Sequence, residues 1–351
     1  MSIAREIAVT VDFHSCVSAP LVTPPSHHSP SGGFRNPWPG GVAMGARDVA
    51  RWMLWDRLFH PPVDKSRASQ FRQATPSHPA RVVAPHVVVT WVGHSSFLVQ
   101  LDGINLLTDP IWSDRAGPLA VLGPKRWVPP GIPFDALPPI DAILLSHNHY
   151  DHLDDRTVRR LIRRYPEAAW FAPLGVAAFV RARGATRVSD LDWWDEVSFG
   201  AMRLACTPAQ HFSARGLRDR GRTLWCGWSI LGPSRRVFFA GDSAYHPEYS
   251  RISERHGPFD VAMIPIGAYE PRWFMKSVHM NAEEGVSAYL DLCAPHESAG
   301  HTVMVPMHWG TFKLTDEPMD EPPKRARAAW KAAALPAESF WLLSHGETRR
   351  A

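Results

Sequence analysis

Cysteine is scarce in this 351-residue sequence: Cys16, Cys206, Cys226 and Cys293 are its four, and no pair is spaced as C-x-x-C. A zinc knuckle and a disulfide framework are therefore excluded, and reduced, buried thiols are expected. Long hydrophobic runs are lacking too. No window of about 18 uninterrupted apolar residues exists, so no membrane-spanning helix is expected. Arg5, Glu6 and Asp12 stand where a secretory signal would need its apolar region, so the chain reads as cytoplasmic or peripheral to a membrane. Nor does one sign of charge dominate. The net charge is only +4, with no dense Lys/Arg tract, which argues against a nucleic-acid partner. The mild positive balance still favours approach to anionic surfaces such as phospholipid headgroups.

What is present is core material with frequent punctuation. Hydrophobic residues make up 45% of the chain, enough to pack a large domain. Residues 1–39 are rich in Pro, Ser, Gly and His ("SAPLVTPPSHHSPSGG") without periodicity; they read as a flexible arm, with His27 and His28 solvated. Residues 40–86 read as a helical and irregular extension packed on the core. Within it, "RDVARWMLWDRLFH" sets Val49, Trp52, Met53, Trp55 and Phe59 at helical spacing beside Arg47, Arg51 and Arg57. A helix packed on the body is favoured there over one lying in a membrane interface. Over residues 87–351 short β-rich runs take over ("VVVTWVG", "SSFLVQLDG", "INLLTDP"), and "DDRTVRRLIRRYP" follows "AILLS" as a helix. Strands with a few helices between them imply a two-sheet core covered by helices, which forms the catalytic domain.

Four apolar runs end in a residue able to hold a metal. "ILLS" leads into His147, "LACTPAQ" into His211, "VFFAG" into Asp242 and "VMVPM" into His308. Ligands at strand ends are held by a rigid sheet while the open edge admits substrate. The first cluster, "SHNHYDHLD", can be read by spacing. Residues two apart on an extended segment point the same way, so His147 and His149 converge on one ion, while Asp151 and His152, beyond the turn, serve a second. His211 completes a histidine-rich site, His308 a mixed one, and Asp242, with two carboxylate oxygens, is the natural bridge. Imidazole with carboxylate suits two zinc ions first, with iron or manganese fitting by ligand type. Asp154 is assigned to capping the helix that follows.

In this order, the H-x-H-x-D-H run, "AQH", "AGD" and "MHWG" resemble the metallo-β-lactamase superfamily. That resemblance implies an αββα sandwich of the α/β (α+β) class with two metals at one edge between the sheets. Longer runs, among them "TDPIWSDRAGP", "LPPIDAILLSHNHYDHLD", "FFAGDSAY" and "IPIGAYEPRWFMK", are similar to the N-acylphosphatidylethanolamine-hydrolysing phospholipases D from about Phe34 to Glu347. The family pattern implies the same ligand set, with His147, His149 and His211 on one zinc, Asp151, His152 and His308 on the other, and Asp242 on both. It implies hydrolysis of a phospholipid to phosphatidic acid and N-acylethanolamine, with a hydroxide held between the metals attacking phosphorus, and a homodimer.

Asp242 and Asp151 are thus expected at the reacting centre, and His279 of "KSVHM" is the acid for the leaving group at neutral pH. Lys125 and Arg126 of "GPKRW", and Arg272 and Lys276 of "EPRWFMK", are positioned to meet a phosphate or headgroup. Tyr150 and Tyr269 are expected in the pocket wall, and His94 behind a ligand rather than as one. Two rivals stay open: hydrolysis of a small soluble phosphodiester or a lactone, and, less favoured, a nuclease on the same fold.

Overall fold

From Val87 onward the expected runs become strands whose successive residues enter different cores, which is why they read as continuous apolar stretches rather than alternating ones. The computed structural model describes residues 26–38, 45–59, 61–119, 121–216 and 218–351; most of the expected arm lies outside them. Among the described residues, one sheet is built from β1 (Val87–Gly93), β2 (Ser96–Leu101), β3 (Ile104–Thr108), β4 (Ala142–Leu144), β5 (Ala169–Pro173), β6 (Val188–Leu191) and β13 (Thr348–Arg350). Its order is β13-β1-β2-β3-β4-β5-β6. The other contains β7 (Glu196–Phe199), β8 (Met202–Thr207), β9 (Gly227–Leu231), β10 (Arg236–Phe239), β11 (Val261–Pro265) and β12 (Val303–Met307), in the order β12-β11-β10-β9-β8-β7.

Val87, Val89 and Trp91 of β1, Phe97 and Val99 of β2, and Ala142 and Leu144 of β4 face a core shared with Trp228, Phe239 and Met263 of the second sheet. Leu98, Leu107, Ile143 and Trp170 point the other way, onto Val158 and Leu161 of the helix Asp155–Arg164. On the far side of the second sheet, Val286, Tyr289 and Leu292 of the helix Ala282–Cys293 and Trp330 of the helix Glu321–Ala332 extend the core. The layers are helix, sheet, sheet, helix, as expected.

Topology places the site. Strands β3 to β6 run parallel, as do β10 to β12, and β8 runs with β10 because each is antiparallel to β9. Their carboxyl ends gather at one edge, the position at which open parallel sheets bind ligands.

The N-terminal segments differ from expectation. His27 and His28 are not solvated: their Nε2 atoms lie 2.6 and 2.7 Å from the two carboxylate oxygens of Asp192. Among the described residues, the helical stretch from Ala46 to Phe59 is anchored by Trp52, which packs against Phe274, Met275 and Val278, and by Arg51, which lies over the Trp273 ring. Met53, Leu54, Trp55, Leu58 and Phe59 are exposed. Cys206, Cys226 and Cys293 are buried free thiols. No helix among the described residues is long and apolar enough to cross a membrane.

Two buried histidines away from the ligand cluster make folding pH-dependent. His246, stacked between Trp38 and Tyr249, and His345, tilted against Trp91 and bonded to Thr311, are each pushed down to about 3, chiefly by burial. Their folded values lie below the unfolded value of 6.5, so the stability they confer is present above pH 6.5 and is lost as pH falls toward 3. Each contributes a slope of about 1.4 kcal/mol per pH unit in that window. Urea unfolding measured across it should decline less steeply in His246→Gln than in the unmutated chain; an unchanged slope would contradict this.

Candidate metal centre

The loop leaving β4 carries His147, His149, Asp151 and His152; the segments after β8, β10 and β12 carry His211, Asp242 and His308. All seven meet at the common edge. The ligand atoms of His147, His149 and His211 lie within 4.8 Å of one another, and so do those of Asp151, His152, His308 and His94. His147 Nε2 and His211 Nε2 stand 2.8 and 3.1 Å from His149 Nδ1. His152 Nε2 and His308 Nε2 are each 3.0 Å from Asp242 Oδ2, which reaches toward His147 and His211 at 3.9 and 3.8 Å. The two subsets and the intermediate position of Asp242 follow the grouping read from spacing.

Hydrogen bonds behind the cluster set which nitrogen faces inward. His211 Nδ1 donates to the Val278 carbonyl at 2.8 Å, leaving the Nε2 lone pair toward the cluster. His152 Nδ1 donates to Asp109 Oδ2 at 2.7 Å. The Asp109 carboxylate also accepts from Ser146 N at 2.7 Å and Ser146 Oγ at 2.5 Å, and that hydroxyl accepts in turn from His147 Nδ1 at 2.8 Å. One fully buried acid at the end of β3 thus orients two imidazoles on the loop that leaves β4. It passed unremarked in the sequence, where "TDP" gives only the hint of an acid at a strand terminus.

Electrostatics divide the cluster. Burial pushes His147 well below its usual range, and His149 and His211 to about 3 and about 4, so these rings are neutral with lone pairs available. On the other side burial opposes charge but the carboxylates outweigh it: Asp242 and Asp151 raise His308 to about 9 and hold His152 well above its usual range. Both acids, despite burial, are in turn held well below the usual carboxylate range. Two ionised carboxylates at this depth require compensating positive charge. Asp242 Oδ1 is buried without a hydrogen-bond partner, and His152 Nε2 and His308 Nε2, though 3.0 Å from Asp242 Oδ2, are not in hydrogen-bond geometry with it. An orphaned carboxylate oxygen, neutral imidazoles on one side and buried carboxylates on the other fit divalent metal ions, which would take the place of the ring protons of His152 and His308.

Other expected site residues divide between the cluster and the scaffold. His279 is close in: its ring is 4.9 Å from that of His211 and 5.2 Å from that of His308, and its buried Nδ1 has no partner. Burial pushes it well below its usual range, so it is a neutral imidazole here rather than the imidazolium expected from sequence. His94 stands behind Asp151, 2.9 Å from Oδ2. Tyr150 donates to the Arg215 carbonyl at 2.7 Å. Lys125 and Lys276 are exposed.

Three expected substrate-binding residues are committed elsewhere. Arg126 is buried and donates to the carbonyls of Ser113 and Ile111. Arg272 pairs with Glu284 at 2.7 Å and holds the His279 carbonyl at 3.1 Å. Tyr269 is fully buried and bonded to Glu321 at 2.8 Å. Each braces the wall instead of lining it. Asp154 sits at the helix N-terminus as expected, but its carboxylate accepts from Thr157 Oγ1 and Ser113 N, not from a helix amide. Arg215, not foreseen, donates to the Asn148 and Leu153 carbonyls at 2.8 and 2.7 Å and so clamps the His211 loop to the His147–His152 loop.

Gly241 shows how tightly Asp242 is aimed. It adopts φ +62°, and an added Cβ would lie 2.5 Å from the Cys226 carbonyl oxygen and 2.8 Å from Ser146 Cβ. Gly241→Ala should therefore destabilise the fold by more than about 1 kcal/mol and lower activity by moving Asp242. Thermal unfolding with a rate assay checks both, and a neutral variant would contradict the packing described.

Comparison with known proteins gives the same outline. A family model described as a beta-lactamase superfamily domain matches residues 104–309. An uncharacterized protein of Mycobacterium tuberculosis is 40% identical over 87% of this chain and 80% of its own length. A Caenorhabditis elegans protein named N-acyl-phosphatidylethanolamine-hydrolyzing phospholipase D 1 is 40% identical over 74% of each chain. Among solved structures, a metallo hydrolase from Ignicoccus hospitalis superposes with a TM-score of 0.54 at 22% identity, over 76% of this chain and 98% of that one.

Proposed function

We propose, because this chain belongs to the β-lactamase superfamily of metal-dependent hydrolases, that it is a dizinc phosphodiesterase acting on N-acylphosphatidylethanolamine-like phospholipids at a membrane surface. His147, His149 and His211 would hold one ion, Asp151, His152 and His308 the other, and Asp242 both. Such ions supply Lewis acidity at the phosphoryl oxygens and a water acidic enough to act as nucleophile at neutral pH.

The chain's own groups do the rest. Asp109 and the Val278 carbonyl keep the ligand imidazoles in one tautomer and orientation. Arg215 keeps the two ligand-bearing loops in register. His279, beside His211 and held from behind by Arg272, is the group that delivers a proton to the departing ethanolamine oxygen, its basicity raised once an anionic phosphate lies beside it.

The observation that carries the lipid reading is the uncovered apolar surface on two elements that pack toward the cluster through intervening rings. Trp52 packs on Phe274 in a cluster that Phe212 borders, the Phe212 ring being 4.5 Å from that of His149, while Leu54, Trp55, Leu58 and Phe59 of the same helical stretch face solvent. Leu119, Val121 and Leu122 are exposed on the loop that follows Ala116, which packs on Phe312 beside His94. Exposed apolar side chains with Arg47 and Arg51 nearby suit a phospholipid interface. The name of the C. elegans relative supports the same substrate.

The experiment is product analysis by mass spectrometry after zinc-loaded protein is incubated with N-acylphosphatidylethanolamine vesicles and, separately, with a soluble phosphodiester and a lactone. Phosphatidic acid with N-acylethanolamine is the expected result. Turnover of the soluble compounds with none of the lipid would overturn the substrate while leaving the hydrolase.

A further inference from the structure

A second group of ligand-type side chains lies outside the strand-end cluster and shares no residue with it. His27 and His28 turn their Nε2 atoms onto the two oxygens of Asp192, at 2.6 and 2.7 Å. Adjacent side chains on an extended strand would point to opposite faces. Here a turn precedes His28, which pairs with Phe34 in a small hairpin, and both rings reach one carboxylate. The rings are 4.7 Å apart at 77°, close to the 4.5 Å and 83° between His147 and His149 and the 4.7 Å and 79° between His147 and His211. The ligand atoms of all three residues lie within 4.8 Å of one another.

The surroundings make this a built site. His27 is buried and stacked on Trp193 at 4.2 Å, and Trp193 N donates to Asp192 Oδ1, fixing the carboxylate. Asp195 accepts from Asp192 N, and its carboxyl is pushed up by burial and by the charge of Asp192. Two imidazoles and a carboxylate, with a second acid beside them, form a donor set for a cation, and two nitrogens with one carboxylate leave a fourth position for water in tetrahedral geometry.

We propose that His27, His28 and Asp192 hold a divalent transition-metal ion, zinc by its donor set, that pins residues 26–38 to the end of β6. The pinned segment reaches the other cluster from behind: Phe34 N donates to the Gly221 carbonyl, and Asn36 Nδ2 donates to the carbonyl of His211 at 2.9 Å. The ion is structural, and its loss loosens a strap lying against a loop of the hydrolytic centre.

The test uses the full chain and zinc alone. Metal content after gel filtration is compared among the unmutated protein, a His27→Ala/His28→Ala variant and a His147→Ala/His149→Ala variant. The first variant should carry about one zinc ion per chain fewer than the unmutated protein, and the second should keep that ion. As a readout independent of the centre and of activity, trypsin cleavage at Arg35 in the His147→Ala/His149→Ala variant should slow about tenfold when free zinc exceeds the dissociation constant of this site about tenfold. Asp192→Asn, which keeps the side-chain volume and a hydrogen-bond acceptor, should abolish that protection. Equal zinc content in the unmutated and His27/His28 proteins, or cleavage at Arg35 indifferent to zinc, would overturn the site and leave a hydrogen-bonded clamp.

Discussion

Asp242→Asn should lower hydrolysis by at least about 10³-fold while leaving the fold in place. The substitution keeps size and shape but removes the charge at the one position within 4 Å of His147, His152, His211 and His308. In the native chain that charge, with Asp151, keeps His308 up at about 9 and is itself held far down by His152 and His308. Without it the two halves of the cluster lose their shared acceptor, and metal content should fall with activity. Circular dichroism and thermal unfolding establish that the fold survives; metal analysis and a rate assay measure the loss. Full activity in Asp242→Asn would contradict a two-metal centre bridged by this residue.

Asp109→Asn should cost about 10–100-fold in metal affinity although Asp109 is assigned no metal contact. Burial pushes the Asp109 carboxyl up, but once ionised it can only accept, which keeps a proton on His152 Nδ1 and leaves Nε2 as the atom that gives up its proton to a metal. An amide nitrogen in that place reverses the tautomer and turns an N–H toward Asp242. The same substitution also disturbs Ser146, whose amide and hydroxyl both donate to Asp109 and whose hydroxyl supports His147. Competition with a chelator measures affinity directly, and activity should return at high zinc. A variant with native affinity would mean that this buried acid serves folding alone.

The contrast between these two residues marks what sequence could reveal. Asp242 was legible because it ends an apolar run, as His147, His211 and His308 do, and because His147, His149, Asp151 and His152 are crowded into one loop. The layered fold was legible for a related reason: strands buried on both faces give continuous apolar runs, while the helix Asp155–Arg164 keeps a polar face. Asp109 was not legible, since a single acid before proline has no pattern and its partners lie 37 and 43 residues away. Arg126, Arg272 and Tyr269 were assigned to substrate because charge and aromaticity suggest a ligand, yet their partners are carbonyls and carboxylates that only the folded chain brings near. His27 and His28 were read as solvated from a Pro- and Ser-rich context. Asp192, which binds them, is more than 160 residues along the chain.

In the function proposed above, the strand-end cluster, loaded with metal, directs water to the phosphorus of an N-acylated phospholipid. Hydrolysis of N-acylphosphatidylethanolamine vesicles in ¹⁸O-labelled water tests it most directly, with the products weighed by mass spectrometry for metal-loaded and chelator-stripped protein. Label is expected in phosphatidic acid and not in N-acylethanolamine, with no turnover after stripping until zinc is restored. Label in N-acylethanolamine, or turnover that survives removal of the metal, would contradict it.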